Sequence, residues 1–322
     1  MRIIFLIIFY LFFLKNAYCC KPGEFISGVA KEIVSVFCAP EFEDAVKETG
    51  REFENKNTKV QLYLRVCGSR ELGYIIQEKK FVSRVDIIIS SSPEVIEDFL
   101  YPEHLDWYIT FGRDELCLAY TEKSKYASQI NEENWYKVIA QKDVRVARTD
   151  ENLDPLGYRT LMSWKLADSY YQDNISQELF RNCPPVNIYP KEDDVVLSLK
   201  TQDADYAFEY LSIAKRESLR FIKLPPQINL GDPGFLALYE KVSVNVSGKD
   251  RNRFIELKGR PITFALGFLK GSISKDWPKK FFKSLFSEEA EGVFKKNGVG
   301  LNLINCQGNI PGEFKELCLP KE

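Results

Sequence analysis

Four stretches of the chain repeat one arrangement of apolar and polar positions. "EIVSVFCA" (32–39) has the β-branched and aromatic run of a strand, and "PEFEDAVKETGREF" after it brings Phe42, Ala45, Val46, Thr49 and Phe53 to one helical face. "VQLYLRVCG" (60–68) is again strand-like, and "SRELGYIIQEK" carries Leu72, Ile75 and Ile76 on a helical stripe. "VDIIISSS" (85–92) is apolar without alternation, as in a strand buried on both faces, and leads into "PEVIEDFL". "DVRVART" (143–149) passes through "DENLDPLGYRT" into a helix with Tyr158, Leu161, Met162, Leu166 and Tyr170 at helical spacing. Strands and helices alternating at these lengths predict an α/β fold with mostly parallel sheets built from right-handed βαβ units.

In such sheets ligands gather at the carboxyl ends of strands, where helices begin. Function is therefore expected in the loops at 38–41, 68–71, 90–92 and 150–159, each of which offers helix N-terminal amides to an anion. Two long segments read as crossings between lobes. "DWYITFGRDELCLAYT" (106–121) is nearly all strand-forming, and "GRPITFALGFLKG" (259–271) is its expected return partner. They divide the chain into a first lobe of residues 20–115 and 263–322 and a second of residues 116–262. "ADYAFEYLSIAK" (204–215) reads as a short strand followed by a helix, with Glu209 near the junction.

The N-terminus changes where this fold would work. "MRIIFLIIFYLFFLKNAYCC" has an unbroken apolar run from Ile3 to Leu14, short for a membrane span and suited to a secretory signal. Ala17 and Cys19 take the small-residue positions of a cleavage site, so residues 1–19 are expected to be removed and the protein exported. Cys20 then begins the mature chain and is open to a lipid anchor, although Tyr18 and Cys19 make a poor lipid-attachment motif. Without its leader the chain keeps 42 basic and 46 acidic residues, about four charges negative and with no basic block. That argues against nucleic acid. The eight cysteines contain no C-x-x-C pair and no Cys/His cluster, so structural zinc is not expected. Cys306 with Cys318 and Cys38 with Cys67 are the pairings that position suggests.

Catalytic arrangements mostly fail. The single histidine, His104, lies in loop-like "YPEHLDW". "CGSRE" (67–71) admits either an oxyanion held by the Ser69 hydroxyl and nearby amides, or an ordinary serine N-cap. Glu209 is equally readable as a first-turn acid that suits the helix dipole.

Taken together, "GSRE", "DWYITF", "LAYTEKSKY", "NWYKVI", "DPLGYRTLM", "DYAFEYLSIA" and "LPPQINLGDP" resemble, in order, the periplasmic tungstate/molybdate-binding proteins of ABC importers, above all the archaeal-type tungstate branch. The resemblance runs from about residue 31 to 300, and "SEEAEGVFKKNGVG" is similar to that family's C-terminal helix. It implies a type II periplasmic-binding-protein fold, two α/β lobes joined by two crossing strands and closing on a ligand. It also implies that two carboxylates, at the positions of Asp154 and Glu209, approach the metal of the oxyanion itself, while Ser69 donates to an oxo group. Gly68, Gly157 and Tyr210 flank these side chains in the matching motifs and complete the expected ligand-binding set. An electron-poor hexavalent metal accepts carboxylate oxygens and sulfate's small sulfur does not, so the carboxylates would select molybdate and tungstate over sulfate and phosphate.

One position departs from the family. Glu41 stands where a second donor serine is usual, adding a third carboxylate to an expected anion site. Arg113 stands where a small or amide residue is usual, and either offsets Glu41 or is solvated. The expected function is an exported, monomeric solute receptor that delivers tungstate or molybdate to an ABC permease, without a cofactor and without catalysis. A pocket shifted by Glu41 toward another anion or a metal cation is the alternative. An enzyme using Asp154 and Glu209 as acid and base is the reading from a different class, and the absence of histidine from every expected ligand loop counts against it.

Overall fold

The computed structural model describes residues 20, 23–26, 32–78 and 84–318; residues 1–19, the expected leader, lie outside them. Seven strands form the first sheet: β1 (Glu24–Phe25), β2 (Glu32–Cys38), β3 (Val60–Val66), β4 (Ile87–Ser90), β5 (Trp107–Phe111), β13 (Phe264–Phe268) and β14 (Asn305–Gly308), in the order β1-β3-β2-β4-β13-β5-β14. β2 pairs in parallel with β3 and β4, whereas β13 runs antiparallel to β4 and β5. The second sheet holds β6 (Leu116–Tyr120), β7 (Val146–Thr149), β8 (Ile188–Tyr189), β9 (Tyr206–Tyr210) and β10 (Arg220–Lys223), in the order β10-β6-β9-β7-β8. A separate hairpin joins β11 (Ser243–Ser247) to β12 (Phe254–Lys258). The molecule has the expected two α/β lobes, but the mostly parallel sheets that the alternation predicts do not form: β2 with β3 and β4, and β7 with β8 and β9, pair in parallel, and the other pairings in both sheets are antiparallel. Among the described residues no helix is long and apolar enough to cross a membrane.

The expected βα units form with small changes of boundary. β2 is followed by a short 3-10 turn at Pro40–Phe42 and the helix Glu43–Lys56, which buries Ala45, Val46, Thr49 and Phe53. The helix Pro155–Tyr171 buries Tyr158, Leu161, Met162 and Leu166, but Tyr170 is exposed.

The segment 106–121 is not one strand. It breaks at Gly112, whose φ is +57°. A Cβ there would lie 2.5 Å from the Gly300 carbonyl oxygen, so the chain turns where only glycine fits. β5 stays in the first sheet, β6 enters the second, and residues 112–115 cross between them. The return crossing runs beside it: Asp114 N–H donates to the Ile262 carbonyl at 3.4 Å, and β13 then pairs with β5.

Cys306 pairs with Cys318 as expected, but Cys67 pairs with Cys20 and not with Cys38. Cys38 belongs to the core on one side of the first sheet, and Cys20 and Cys67 to the smaller core on the other. This bond occupies the Cys20 sulfur, so it and a lipid thioether at Cys20 exclude one another.

Candidate functional site

The four strand-to-helix loops of the sequence reading meet where the lobes touch. From the first lobe come Glu41 in the turn after β2, Gly68 and Ser69 after β3, and Ser91 and Ser92 after β4. From the second come Asp154 at the mouth of the helix Pro155–Tyr171, Glu209 near the end of β9, and Glu192, the first residue of the helix Glu192–Thr201. All of these side chains are buried. Contact between the lobes is close: a Cβ on Gly68 would fall 2.6 Å from the Leu153 carbonyl oxygen and 3.0 Å from Asp154 Oδ2.

The four carboxylates fall into two kinds. Asp154 Oδ1 caps its helix by accepting from Leu156 N–H at 2.8 Å, and Glu209 Oε1 accepts from Tyr210 N–H at 2.8 Å. Each of these carboxylates is thus held by one oxygen to a backbone amide, while the other, Asp154 Oδ2 or Glu209 Oε2, is buried without a hydrogen-bond donor. Glu41 and Glu192 are different, because neither of their oxygens meets a donor among the described residues. These two reach each other from opposite lobes, where a protonated carboxyl on one can donate to the other.

Crowding buried acids in this way favours their neutral forms. Burial first, and then the charge of Asp154, push Glu41 up to about 8. Burial raises Asp154 to about 7, against the opposing Leu156 amide and Arg159. Glu192 and Glu209 are also raised well above the usual carboxylate range, by burial and then by the other acids of the cluster.

Two cations act on the cluster, and neither is Arg113, which is exposed. Arg159, buried in its helix, bridges the lobes: Nη1 donates to the Ser91 carbonyl at 2.7 Å and to the Tyr210 hydroxyl at 2.6 Å. Arg216 Nη1 donates to the Glu41 carbonyl at 3.1 Å, and its charge opposes the rise of Glu209.

Ser69 is the first residue of its helix rather than the N-cap, which is Gly68, and it makes no capping bond. Its Oγ accepts from Ser91 N–H at 3.0 Å and lies 2.9 Å from Ser91 Oγ. Glu209 sits inside β9, so the first-turn reading fails for it too. Tyr210 orients its neighbours, accepting from Arg159 and donating its amide to Glu209. Gly157 serves the packing of its own helix, since a Cβ there would lie 2.6 Å from the Thr149 carbonyl oxygen. Sequence reasoning placed Ser91 and Arg159 within expected ligand loops without singling either out, and it missed Glu192 and Arg216. Only Glu192 left a signal, as the leading acid of "KEDD", and that run reads as ordinary dipole compensation.

The chain matches the bacterial extracellular solute-binding protein family over residues 34–299. It is 33% identical to an uncharacterised solute-binding protein of Petrotoga mobilis, over 86% of this chain and 84% of that one. It is 29% identical to a molybdate/tungstate-binding protein of Pyrococcus abyssi, over 94% and 95% of the two chains. In fold it resembles the periplasmic molybdate-binding protein of Azotobacter vinelandii (TM-score 0.55, 14% identity, 83% of this chain and 99% of that one). The sulfate-binding protein SubI of Mycobacterium tuberculosis is similar to the same degree (TM-score 0.54, 11% identity, 90% and 92%). Proteins described as binding chemically different oxyanions thus share this fold, which leaves the choice of ligand to the side chains.

Proposed function

The chain belongs to the bacterial extracellular solute-binding protein family, and from that premise we propose that it captures tungstate or molybdate between its lobes and delivers it to an ABC permease. The observation that carries this reading is the pair of half-anchored carboxylates. Asp154 and Glu209 each have one oxygen fixed by a backbone amide and one buried oxygen without a donor. A carboxylate held in this way is a preoriented monodentate ligand. It suits a tetrahedral oxyanion whose hexavalent metal can expand its coordination, and it repels sulfate and phosphate, whose central atoms cannot. Ser69 stands opposite as the donor for an oxo group, with Arg159 offsetting part of the negative charge.

Binding would draw residues of both lobes onto one ion and so stabilise the closed arrangement over an open one; the permease would read that closed form. No step of this needs a bond to be made or broken within the protein. The supporting relatives described by function are solute-binding proteins.

Four buried acids also keep the metal-cation reading in play. Against it, among the described residues the only three ligand atoms of the metal-binding kind lying within 4.8 Å of one another belong to Cys20, Cys67 and Glu71, and that set includes a disulfide. The carboxylates of Glu41, Asp154, Glu192 and Glu209 do not bring three ligand atoms that close together.

Calorimetry with tungstate, molybdate and sulfate decides the matter. Tungstate or molybdate should bind at micromolar concentration or tighter, with sulfate far weaker. Asp154→Asn keeps an oxygen for the Leu156 amide, and Glu209→Gln keeps one for the Tyr210 amide. Both variants should fold and lose affinity by roughly 100-fold, the scale of a lost charged ligand of about 2–3 kcal/mol. Unchanged affinity in both would remove the coordination claim, and a divalent metal found by elemental analysis of the purified protein would favour the cation.

A further inference from the structure

A dianion approaching four buried acids meets repulsion from each one that is ionised, and the surface around Arg216 bears on how it gets in. Two openings border this residue, and they differ in charge. One, about 340 Å³, is lined by Glu192 together with Glu43, Asp44, Asp193 and Glu217, against Lys200 and Arg216. The other, about 550 Å³, is lined by Arg113, Lys215, Arg216, Lys295 and Lys296. Two acids also line this second opening, and both are already engaged. Asp114 accepts from the Glu115 and Ser212 amides at 2.8 and 3.3 Å and from the Ser212 hydroxyl, and Glu115 accepts from Asn229 Nδ2 at 2.9 Å. Lys296 pairs with Glu48 at 3.1 Å and Arg216 with Glu217 at 3.3 Å. Arg113, Lys215 and Lys295 are exposed, and their side chains have no ion-pair or hydrogen-bond partner among the described residues.

These three cations come from different parts of the fold: Arg113 from the crossing between lobes, Lys215 from the helix Leu211–Arg216 of the second lobe, and Lys295 from the helix Glu288–Lys296 of the first. Their separation in sequence hides the cluster, and only the tertiary fold makes it. Arg216 stands between it and the carboxylates, bonded to the Glu41 carbonyl and six residues after the Tyr210 that holds Glu209.

We propose that the basic opening is an anion vestibule: Arg113, Lys215 and Lys295 hold an incoming oxyanion, and Arg216 hands it on to the carboxylate cluster. This rests on the oxyanion reading above and adds a second anion site to it. The vestibule raises the local concentration of the dianion and offsets the field of the inner acids. Its contribution is therefore to association and is screened by salt.

The test is stopped-flow tryptophan fluorescence with tungstate and molybdate, on wild type and on the triple variant Arg113→Gln, Lys215→Gln, Lys295→Gln. A control carries Lys123→Gln, Lys142→Gln and Lys258→Gln, exposed residues that line none of the described openings. At about 20 mM ionic strength the vestibule variant should associate roughly tenfold more slowly than wild type and the control, with an unchanged dissociation rate; at about 0.5 M the difference should vanish. An association rate equal to that of the control at low salt overturns the vestibule and leaves the inner site standing. A deficit that persists at high salt overturns it as well, because the residues would then act on the closed structure. Failure of wild type to bind either oxyanion in calorimetry removes the oxyanion reading and the vestibule together.

Discussion

Glu41 is the residue whose presence most needs a physical account, since it puts a third acid beside Asp154 and Glu209 and faces a fourth in Glu192. The neutral form resolves the conflict. With Glu41 raised from 4.5 to about 8, the folded protein holds a proton there that the unfolded chain has already released near pH 4.5. Between those values the folded state binds more protons, so stability falls as pH rises through the window. The groups facing Glu41 are Glu192, Asp154, Glu209 and Arg159; the acids, raised like it, give the same sign, and Arg159 stays charged throughout. Glu41→Gln, a neutral isostere, should therefore melt a few degrees above wild type at pH 8 and match it near pH 4.5, as followed by circular dichroism. A variant less stable than wild type at pH 8 would show that Glu41 is ionised and compensated in the folded protein. Protonated, Glu41 is also a donor, which under the proposed oxyanion reading would let it stand in for the serine that the resemblance implies at this position.

At the scale of elements, the loop after β3 sets how close the lobes come. Gly68 has an ordinary backbone conformation (φ −53°), so its small size matters only through its surroundings, the Leu153 carbonyl and Asp154 across the cleft. Gly68→Ala should leave the melting temperature of the unliganded protein within about 2 °C, because an open form relieves the clash. It should weaken oxyanion binding about tenfold or more by obstructing closure. Equal affinity in calorimetry would show that the loop retreats without cost.

This loop also shows what the sequence could and could not disclose. The strand-to-helix junctions at Glu41, Ser69, Ser90 and Asp154 were legible, because apolar periodicity fixes where strands end and helices begin, and parallel βαβ winding sends those ends to one side. The identity of Asp154 and Glu209 as a pair came from motif resemblance, not periodicity. Glu192 was invisible because its acid run satisfies a local rule at a helix start, while its position against Glu41 depends on how the lobes meet. Arg159 was hidden for a similar reason, as one polar residue in a helix buried on nearly every side. The pairing of Cys67 went wrong because both candidate cysteines end strands, and only the sheet reveals that they serve opposite faces.

For the whole molecule, the remaining question is what holds the lobes together once they touch. The β11–β12 hairpin is fastened to the second lobe, where Lys165 Nζ donates to the Ser243 carbonyl at 2.5 Å and the Asn152 side chain accepts from Ser247 N–H at 2.8 Å. Its far end reaches the first lobe. Tyr74 Oη donates to the Ser247 and Gly248 carbonyls, each at 3.0 Å, Arg70 donates to the Ser247 carbonyl, and the Arg251 guanidinium stacks 3.8 Å from the centre of the Tyr74 ring. These contacts exist only when the lobes meet, so their loss should speed release and leave capture unchanged. Tyr74→Phe removes the hydroxyl and keeps the ring against Phe99, whose centroid is 4.8 Å away, so the first lobe should fold as before. At about 0.5–1.5 kcal/mol for the bonds lost, the dissociation rate of tungstate should rise by roughly 2- to 10-fold, with association within a factor of two. Arg251→Ala should act in the same direction and by less, because Arg251 is exposed and its cation–π contact is weak in water. Slower association with unchanged dissociation would place the hairpin on the path of entry. Faster dissociation in both variants would make it the clasp that sets how long the cargo stays bound before the permease takes it.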